Sequence, residues 1–231
     1  MKYSVVRLPA KSENDLEYDD RRVRLLRHPA YAVFGLRPAV GQHTRREHEA
    51  FRRRARGRRA IVEIGVAEGV SALALRQGME HGATLYLIDP FHLSRVPFLN
   101  FMKRAARHAV DTCHNGTVVW IEKFSQDAVA SWKEPIDLLL IDGDHQEKSV
   151  LRDWQEWSRF IRAGGVAIFH DARVFAEGWC TPEYGPVKAV DHLFRSTSSG
   201  EWTIIEEIDS LVVVQRSESA ARNAETVLAS R

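Results

Sequence analysis

Cysteine is nearly missing from this chain of 231 residues: Cys113 and Cys180 are the only two. They are too few for a disulfide framework and lack metal-ligand spacing, which fits a reducing compartment such as the cytoplasm. No apolar run approaches the length needed to cross a bilayer, and Met1-Lys-Tyr-Ser-Val-Val-Arg7 has no long apolar core of the secretory-leader kind. A strong excess of one charge is missing as well. The formal net charge is +2, with 28% charged and 44% hydrophobic residues, the composition of a soluble globular protein. There is no Gly-x-Ser-x-Gly elbow, which excludes the serine-hydrolase arrangement built on it. The length suits one well-buried domain and falls short of two plus a linker.

What the chain does contain is evenly spaced apolar runs. Segments 61–65, 84–88, 117–121, 136–141 and 165–169 read as strands. All but the last are followed by helical spacing, so they imply a parallel sheet covered on both faces. Trp202–Ile205 and Leu211–Val214 lie so close in sequence that they pair only as an antiparallel hairpin. The expected fold class is α/β, Rossmann-like, with a mostly parallel seven-stranded sheet, a C-terminal antiparallel hairpin and helices on both faces. Residues 1–58 read as a helical lid or wrapping segment, 59–215 as the core and 216–231 as a frayed tail. Thr44-Arg-Arg-Glu47 has capping-box spacing, so a helix should start at about Arg45 and end near Gly57. Other helices are expected near Asp19–Arg27 and from about Gly185 to Arg195. Leu151, Trp154, Trp157 and Ile161 recur at helical steps, which puts both tryptophans on a sheet-facing stripe.

Positive charge is concentrated in Arg52-Arg-Arg-Arg-Ala-Arg-Gly-Arg-Arg59. A solvated helix face explains it most simply, and contact with a phosphate backbone is the competing reading. No interleaved aromatics suggest stacking on bases.

Four segments carry candidate chemistry. Ile61-Val-Glu-Ile-Gly-Val-Ala-Glu-Gly69 is a strand that breaks at a glycine and restarts as a helix. That geometry presents backbone N–H groups at the carboxyl edge of the sheet. A dinucleotide fingerprint would need glycines at 65, 67 and 70, where this chain has Gly65, Ala67 and Val70. Ser71 can bind a carboxylate at the start of the next helix or simply cap it. Asp89 ends the second strand, where an acidic residue can accept hydrogen bonds from both ribose hydroxyls of a nucleoside, or merely close an Asp-Pro turn. Leu138-Leu-Leu-Ile-Asp142-Gly-Asp144-His145 and Gly164-Gly-Val-Ala-Ile-Phe-His170-Asp171 deliver carboxylates and imidazoles at two further strand ends. Such a concentration is costly in a buried place unless it binds a cation or a substrate. Asp144 alone reads as the N-cap of the following helix.

Together these motifs resemble class I S-adenosylmethionine (SAM)-dependent methyltransferases. Within that class they are similar to small-molecule O-methyltransferases that include the metal-dependent enzymes of macrolide sugars. The resemblance spans about 40 to 215. It implies that Glu63, Gly65, Gly69, Ser71, Asp89, Ser125, Gln126 and Asp142 hold the cofactor, with Ser125 and Gln126 where relatives recognise adenine. It further implies that Asp142, His170 and Asp171 hold a divalent metal, magnesium first, and that His145 is the general base beside Asp142. Relatives carry an acidic residue where this chain has His170, a softer ligand that leaves manganese, zinc or no metal open. Trp179, Tyr184 and Arg173, with Gln42 and His43, are in reach of the edge as a lid. The expected partner is a small molecule with a hydroxyl, such as a sugar or glycoside, with no membrane. A homo-oligomer is left open. An RNA methyltransferase using Arg45–Arg59 is the alternative. Base N-methylation commonly uses an Asn/Asp-Pro-Pro-Tyr element after the fourth strand, and Asp142-Gly-Asp-His is a different element.

Overall fold

The computed structural model describes residues 28–91, 100–196 and 200–218. The helix expected near Asp19–Arg27 and most of the tail lie outside the described residues. Strands β1 (Ala60–Ile64), β2 (Thr84–Ile88), β3 (Thr117–Ile121), β4 (Ile136–Ile141), β5 (Ile161–Phe169), β6 (Trp202–Ile208) and β7 (Leu211–Arg216) form one sheet. Their order is β3-β2-β1-β4-β5-β7-β6. The first five run parallel, and β7 lies antiparallel between β5 and β6. The seven-stranded sheet and its closing hairpin are therefore as expected.

Helices α1 (Ala30–Val33), α2 (Arg45–Ala55), α3 (Val70–Gly78), α4 (Phe101–Val110), α5 (Ser125–Val129), α6 (Glu147–Trp157) and α7 (Gly185–Val190) complete the described elements, and α7 runs on as a π turn to Arg195. Successive strand residues face opposite ways, so the sheet has two cores. One packs Phe51 and Leu75 against Ile61, Leu85, Leu138 and Leu140, and the other packs Trp154 and Trp157 against Val62, Leu139, Ile141 and Phe169. β4 is buried along its whole length, as a central parallel strand covered on both faces must be. Its Asp137 accepts hydrogen bonds from the Arg59 and Ala60 N–H groups at 2.7 and 3.0 Å and is paired with Arg162.

Helix α2 begins with a complete capping box. The Thr44 hydroxyl accepts from the Glu47 N–H at 3.2 Å, and the Glu47 carboxylate accepts from the Thr44 N–H at 2.6 Å. Four arginines of this region are engaged within the fold. Arg53 and Arg54 both pair with Glu206 of β6, Arg46 with Asp209, and Arg58 donates to the Gly164 carbonyl. Two expectations need correction. Ile161 does not continue the tryptophan stripe, because α6 tightens into a 3-10 turn at Ser158–Phe160 and Ile161 opens β5. Asp144 does not cap α6 either. Gln146 is the cap residue, and Asp144 accepts instead from the Gln146 N–H at 3.3 Å and the Ser149 hydroxyl at 2.7 Å, closing the turn ahead of the helix. Among the described residues no helix is long and apolar enough to cross a membrane.

Candidate active site

The parallel register lines up four strand ends. Gly65 N donates to Ile88 O at 2.9 Å, Asp89 N to Ile121 O at 3.2 Å, Asp142 N to Ile64 O at 2.9 Å and His170 N to Ile141 O at 3.1 Å. Each strand thus leaves the sheet at the same level, and its first polar residue emerges along one carboxyl edge, where open α/β sheets bind ligands.

On one side of that edge is a cleft of about 360 Å³ lined by Gly65, Asp89, Ser125, Gln126, Asp142 and Arg152, among others. Five of the eight expected cofactor residues therefore meet in one space. Gly65 is required by the backbone itself: its φ is +88°, and a Cβ there would fall 2.1 Å from the Asp142 carbonyl oxygen. Asp89 turns inward to brace the loop. One oxygen accepts from Val66 N and Ala67 N at 2.8 and 3.1 Å, and the other from Phe91 N at 2.7 Å. Gly69 (φ +80°) is placed otherwise. It is the N-cap of α3, packed so tightly on α4 that a Cβ would lie 2.9 Å from Ala106 Cα.

Glu63 is fully buried and accepts from the Ser71 hydroxyl, while its second oxygen has no hydrogen-bond partner. Burial pushes this carboxyl well above the ordinary range, against the opposing pull of Ser71. Ser71 therefore lies against Glu63 under the loop. The Ser125 hydroxyl is likewise engaged, donating to Asp153, whose carboxyl burial pushes up.

On the other side of the edge stands a cluster of acids and imidazoles. His170 Nδ1 lies 2.9 Å from Asp142 Oδ1 and 3.4 Å from Asp171 Oδ1. His145 Nε2 lies 3.7 Å from Asp142 Oδ1 and 3.6 Å from Asp171 Oδ2, and its Nδ1 contacts the Tyr184 hydroxyl at 2.5 Å. Asp171 is almost wholly buried with φ +54° and one unpartnered oxygen, a strained backbone of the kind that persists only where its surroundings enforce it. Burial pushes the Asp142 carboxyl up, but His170 and His145 outweigh it and bring the group down to about 2. Burial likewise works against a charged His170, yet Asp142, Glu47 and Asp171 hold that imidazole well above its usual value. The hydrogen bond to Asp142 raises His145, against burial.

Asp142, His170 and Asp171 offer ligand atoms that all lie within 4.8 Å of one another. The 2.9 Å between Nδ1 and Oδ1 is close to the separation of about 3 Å between neighbouring ligands of an octahedral ion with bonds of about 2.1 Å. Two carboxylates and an imidazole suit a borderline divalent ion better than magnesium. The residues present therefore fit a divalent metal.

Of the expected lid, Tyr184 and Trp179 approach the cluster. The Trp179 ring is 6.4 Å from that of His170. His43 packs its ring 6.5 Å from His170 and 5.3 Å from Phe51. Arg173 turns away, donating to the Asp209 carbonyl at 3.0 Å, and Gln42 is exposed. Three participants escaped sequence reading. Glu47 signalled only a capping box, although its carboxylate also reaches His170. Ser210, in the hairpin turn, carried no signal, and it donates to Glu47 Oε1 from both its N–H and its hydroxyl at 2.7 Å. Glu68 holds the segment before α2 against the loop, through a two-point pair with Arg37 at 2.6 Å and the Val40 N–H at 3.0 Å.

Residues 62–172 match the family described as "Methyltransferase domain". An uncharacterised protein of Acanthamoeba polyphaga mimivirus is 28% identical over 147 residues, and the match spans 62% of this chain and 62% of that curated relative's length. Similar solved structures include a protein from Corynebacterium glutamicum (17% identical, 89% of this chain and 93% of that one, TM-score 0.59). An O-methyltransferase from Bacillus cereus, in complex with SAH, is 18% identical over 88% of this chain and 94% of that one, with a TM-score of 0.56. The O-methyltransferase TomG from Streptomyces achromogenes, involved in tomaymycin synthesis and in complex with SAM, is 15% identical over 82% and 87%, with a TM-score of 0.57. At these identities the structures speak for the fold, and it is the same fold. Residues 62–172 thus carry a match to a methyltransferase domain at the centre of a fold shared with these solved structures.

Proposed function

We propose that this chain transfers the methyl group of SAM to a hydroxyl oxygen of a small molecule of the sugar or glycoside class, with His145 as general base and a divalent ion held by Asp142, His170 and Asp171. The observation that carries the reading is His145 Nε2, 3.7 Å from Asp142 and 3.6 Å from Asp171 beside the 360 Å³ cleft. In that cleft Gly65 would allow backbone approach, Asp89, which also braces the loop, would take the ribose hydroxyls, and Ser125 and Gln126 would meet the adenine. The orphaned oxygen of Glu63 supports a cationic partner, which the amino group of SAM supplies.

The base must present a lone pair. To act as base, His145 must hold its proton on Nδ1, donated to the Tyr184 oxygen, and turn the Nε2 lone pair to the mouth between the two carboxylates, whose charge a bound ion would offset. It takes the acceptor's hydroxyl proton as the oxygen attacks the methyl carbon. The C–O bond forms, the C–S bond breaks, and the sulfonium leaves as a neutral thioether. When bound, the ion lowers the pKa of an alcohol and holds a neighbouring oxygen. Tyr184, on His145, and Trp179, beside His170, border the cluster. Arg46, Arg53, Arg54 and Arg58 are tied to Asp209, Glu206 and Gly164, and no observation favours the RNA alternative.

Methyl transfer from labelled SAM onto a panel of glycosides and phenols tests the reading. Incorporation into a glycoside is the expected result. Replacing His145 with Ala should lower kcat by at least 100-fold with SAM affinity unchanged; a base is worth about 10²–10⁴ in rate. Absence of SAM binding in calorimetry, with and without a divalent ion, would sink the whole proposal.

A further inference from the structure

We infer that Glu47 is a positioning residue for the metal site: its carboxylate fixes His170 so that Nε2 carries the proton and Nδ1 is the nitrogen offered to the ion beside Asp142 and Asp171. The inference rests on the metal reading above and deepens it, and three observations carry it.

First, the two faces of the His170 ring meet different surroundings. Nδ1 points to Asp142 and Asp171, the side on which the ligand atoms converge. Nε2 points the opposite way, is buried, has no hydrogen-bond partner, and has Glu47 Oε2 at 3.8 Å. That distance is in the ion-pair range and too long for a hydrogen bond. A lone pair on Nε2 would face a carboxylate oxygen in a dry interior, which is repulsive; an N–H there is attracted. Electrostatics therefore keeps a proton on Nε2, and the proton that a bound ion would displace is the one Nδ1 holds towards Asp142.

Second, Glu47 is itself held. It is fully buried, and it accepts from the N–H and hydroxyl of Ser210 on one oxygen and from the Thr44 N–H on the other. A carboxylate fastened by three donors cannot swing away, so it defines where the ring must point. Third, the same Ser210 hydroxyl is 3.3 Å from the Asp171 N–H, which donates to it. Glu47 and Asp171 therefore share one anchor, and the hairpin turn registers α2 against the end of β5. A ligating imidazole whose other N–H faces a carboxylate is a recurrent arrangement, and loss of that carboxylate typically weakens metal binding about 10- to 100-fold.

The experiment uses the full chain, with Mn2+ as probe. Glu47→Gln keeps the volume and removes the charge. Mn2+ titration followed by electron paramagnetic resonance should give a dissociation constant raised about 10- to 100-fold, while calorimetric SAM affinity stays within twofold. A melting point lowered with Mn2+ affinity unchanged would make Glu47 merely structural and overturn the inference. A wild-type chain that binds neither Mn2+ nor Zn2+ removes the metal reading and this inference with it. Should Glu47→Gln not fold, the wild type still decides. In the Zn2+-loaded, 15N-histidine-labelled chain, long-range 1H–15N spectra should show His170 protonated at Nε2 and metal-shifted at Nδ1. The reverse assignment would overturn the inference.

Discussion

Glu63 shows how one residue can weaken the resting protein and serve its ligand. The carboxyl is fully buried, shares a hydrogen bond only with Ser71 and has its pKa pushed well up by burial. In the unfolded chain it ionises above about 4.5, so as pH rises from there towards the folded value the unfolded state is increasingly favoured. Glu63→Gln keeps an acceptor for Ser71 and removes the ionisation. Its stability in urea at pH 8 should rise by about 1–2 kcal/mol. SAM affinity should fall about 10- to 100-fold, the worth of one hydrogen bond between charged groups. Unchanged affinity would remove Glu63 from the cofactor site. The sequence made Glu63 visible because an acid inside an apolar strand is anomalous. It hid Glu47, whose capping-box role is a complete local explanation, so nothing local asks for a second one.

The elements were legible where aliphatic runs end in glycine, proline or a carboxylate. β2, β3 and β4 begin and end where the sequence places them. β5 starts four residues earlier than its aliphatic run, because pairing of Ile161 with Ile136 is set by the neighbouring strand and not by local pattern. The same tertiary choice took Ile161 from the helix stripe. Glycines in the loops separate two kinds of constraint. At Gly65 an added Cβ meets Asp142 O at 2.1 Å at a φ of +88°, whereas at Gly143 the nearest atom is Ile64 Cγ2 at 3.5 Å. Gly65→Ala is expected to cost about 2–5 kcal/mol, from backbone strain plus overpacking, and to abolish SAM binding. Gly143→Ala, in the same cleft, is expected to cost less than about 1 kcal/mol. Urea titration of both variants checks the contrast, and equal losses would show that crowding at Asp142 is not what requires Gly65.

At the scale of the whole molecule, the order of chemistry along the sheet edge was legible, since alternation of strands and helices fixes which ends coincide. What crosses from α2 was not. Glu47 and Ser210 meet across 163 residues, whereas His43, expected near the edge, does pack beside His170. His43 also gives the fold an acid-sensitive point. Burial, then the neighbouring His170 and His48, lower its pKa to about 4. An unfolded imidazole titrates near 6.5. Between those values the unfolded chain binds a proton that the folded one refuses, so stability from this group falls as pH drops through the window. His170 and His145 shift the other way and add stability below 6.5 that fades as pH rises, so the net profile of the wild type mixes both signs. Comparison with His43→Gln isolates the first. Between pH 7 and 4.5 the variant should lose about 2–3 kcal/mol less than the wild type in urea titrations. A parallel offset of the two curves, with no change in slope, would mean that His43 is charged in the folded chain and that its packing, not its neutrality, is what the fold requires.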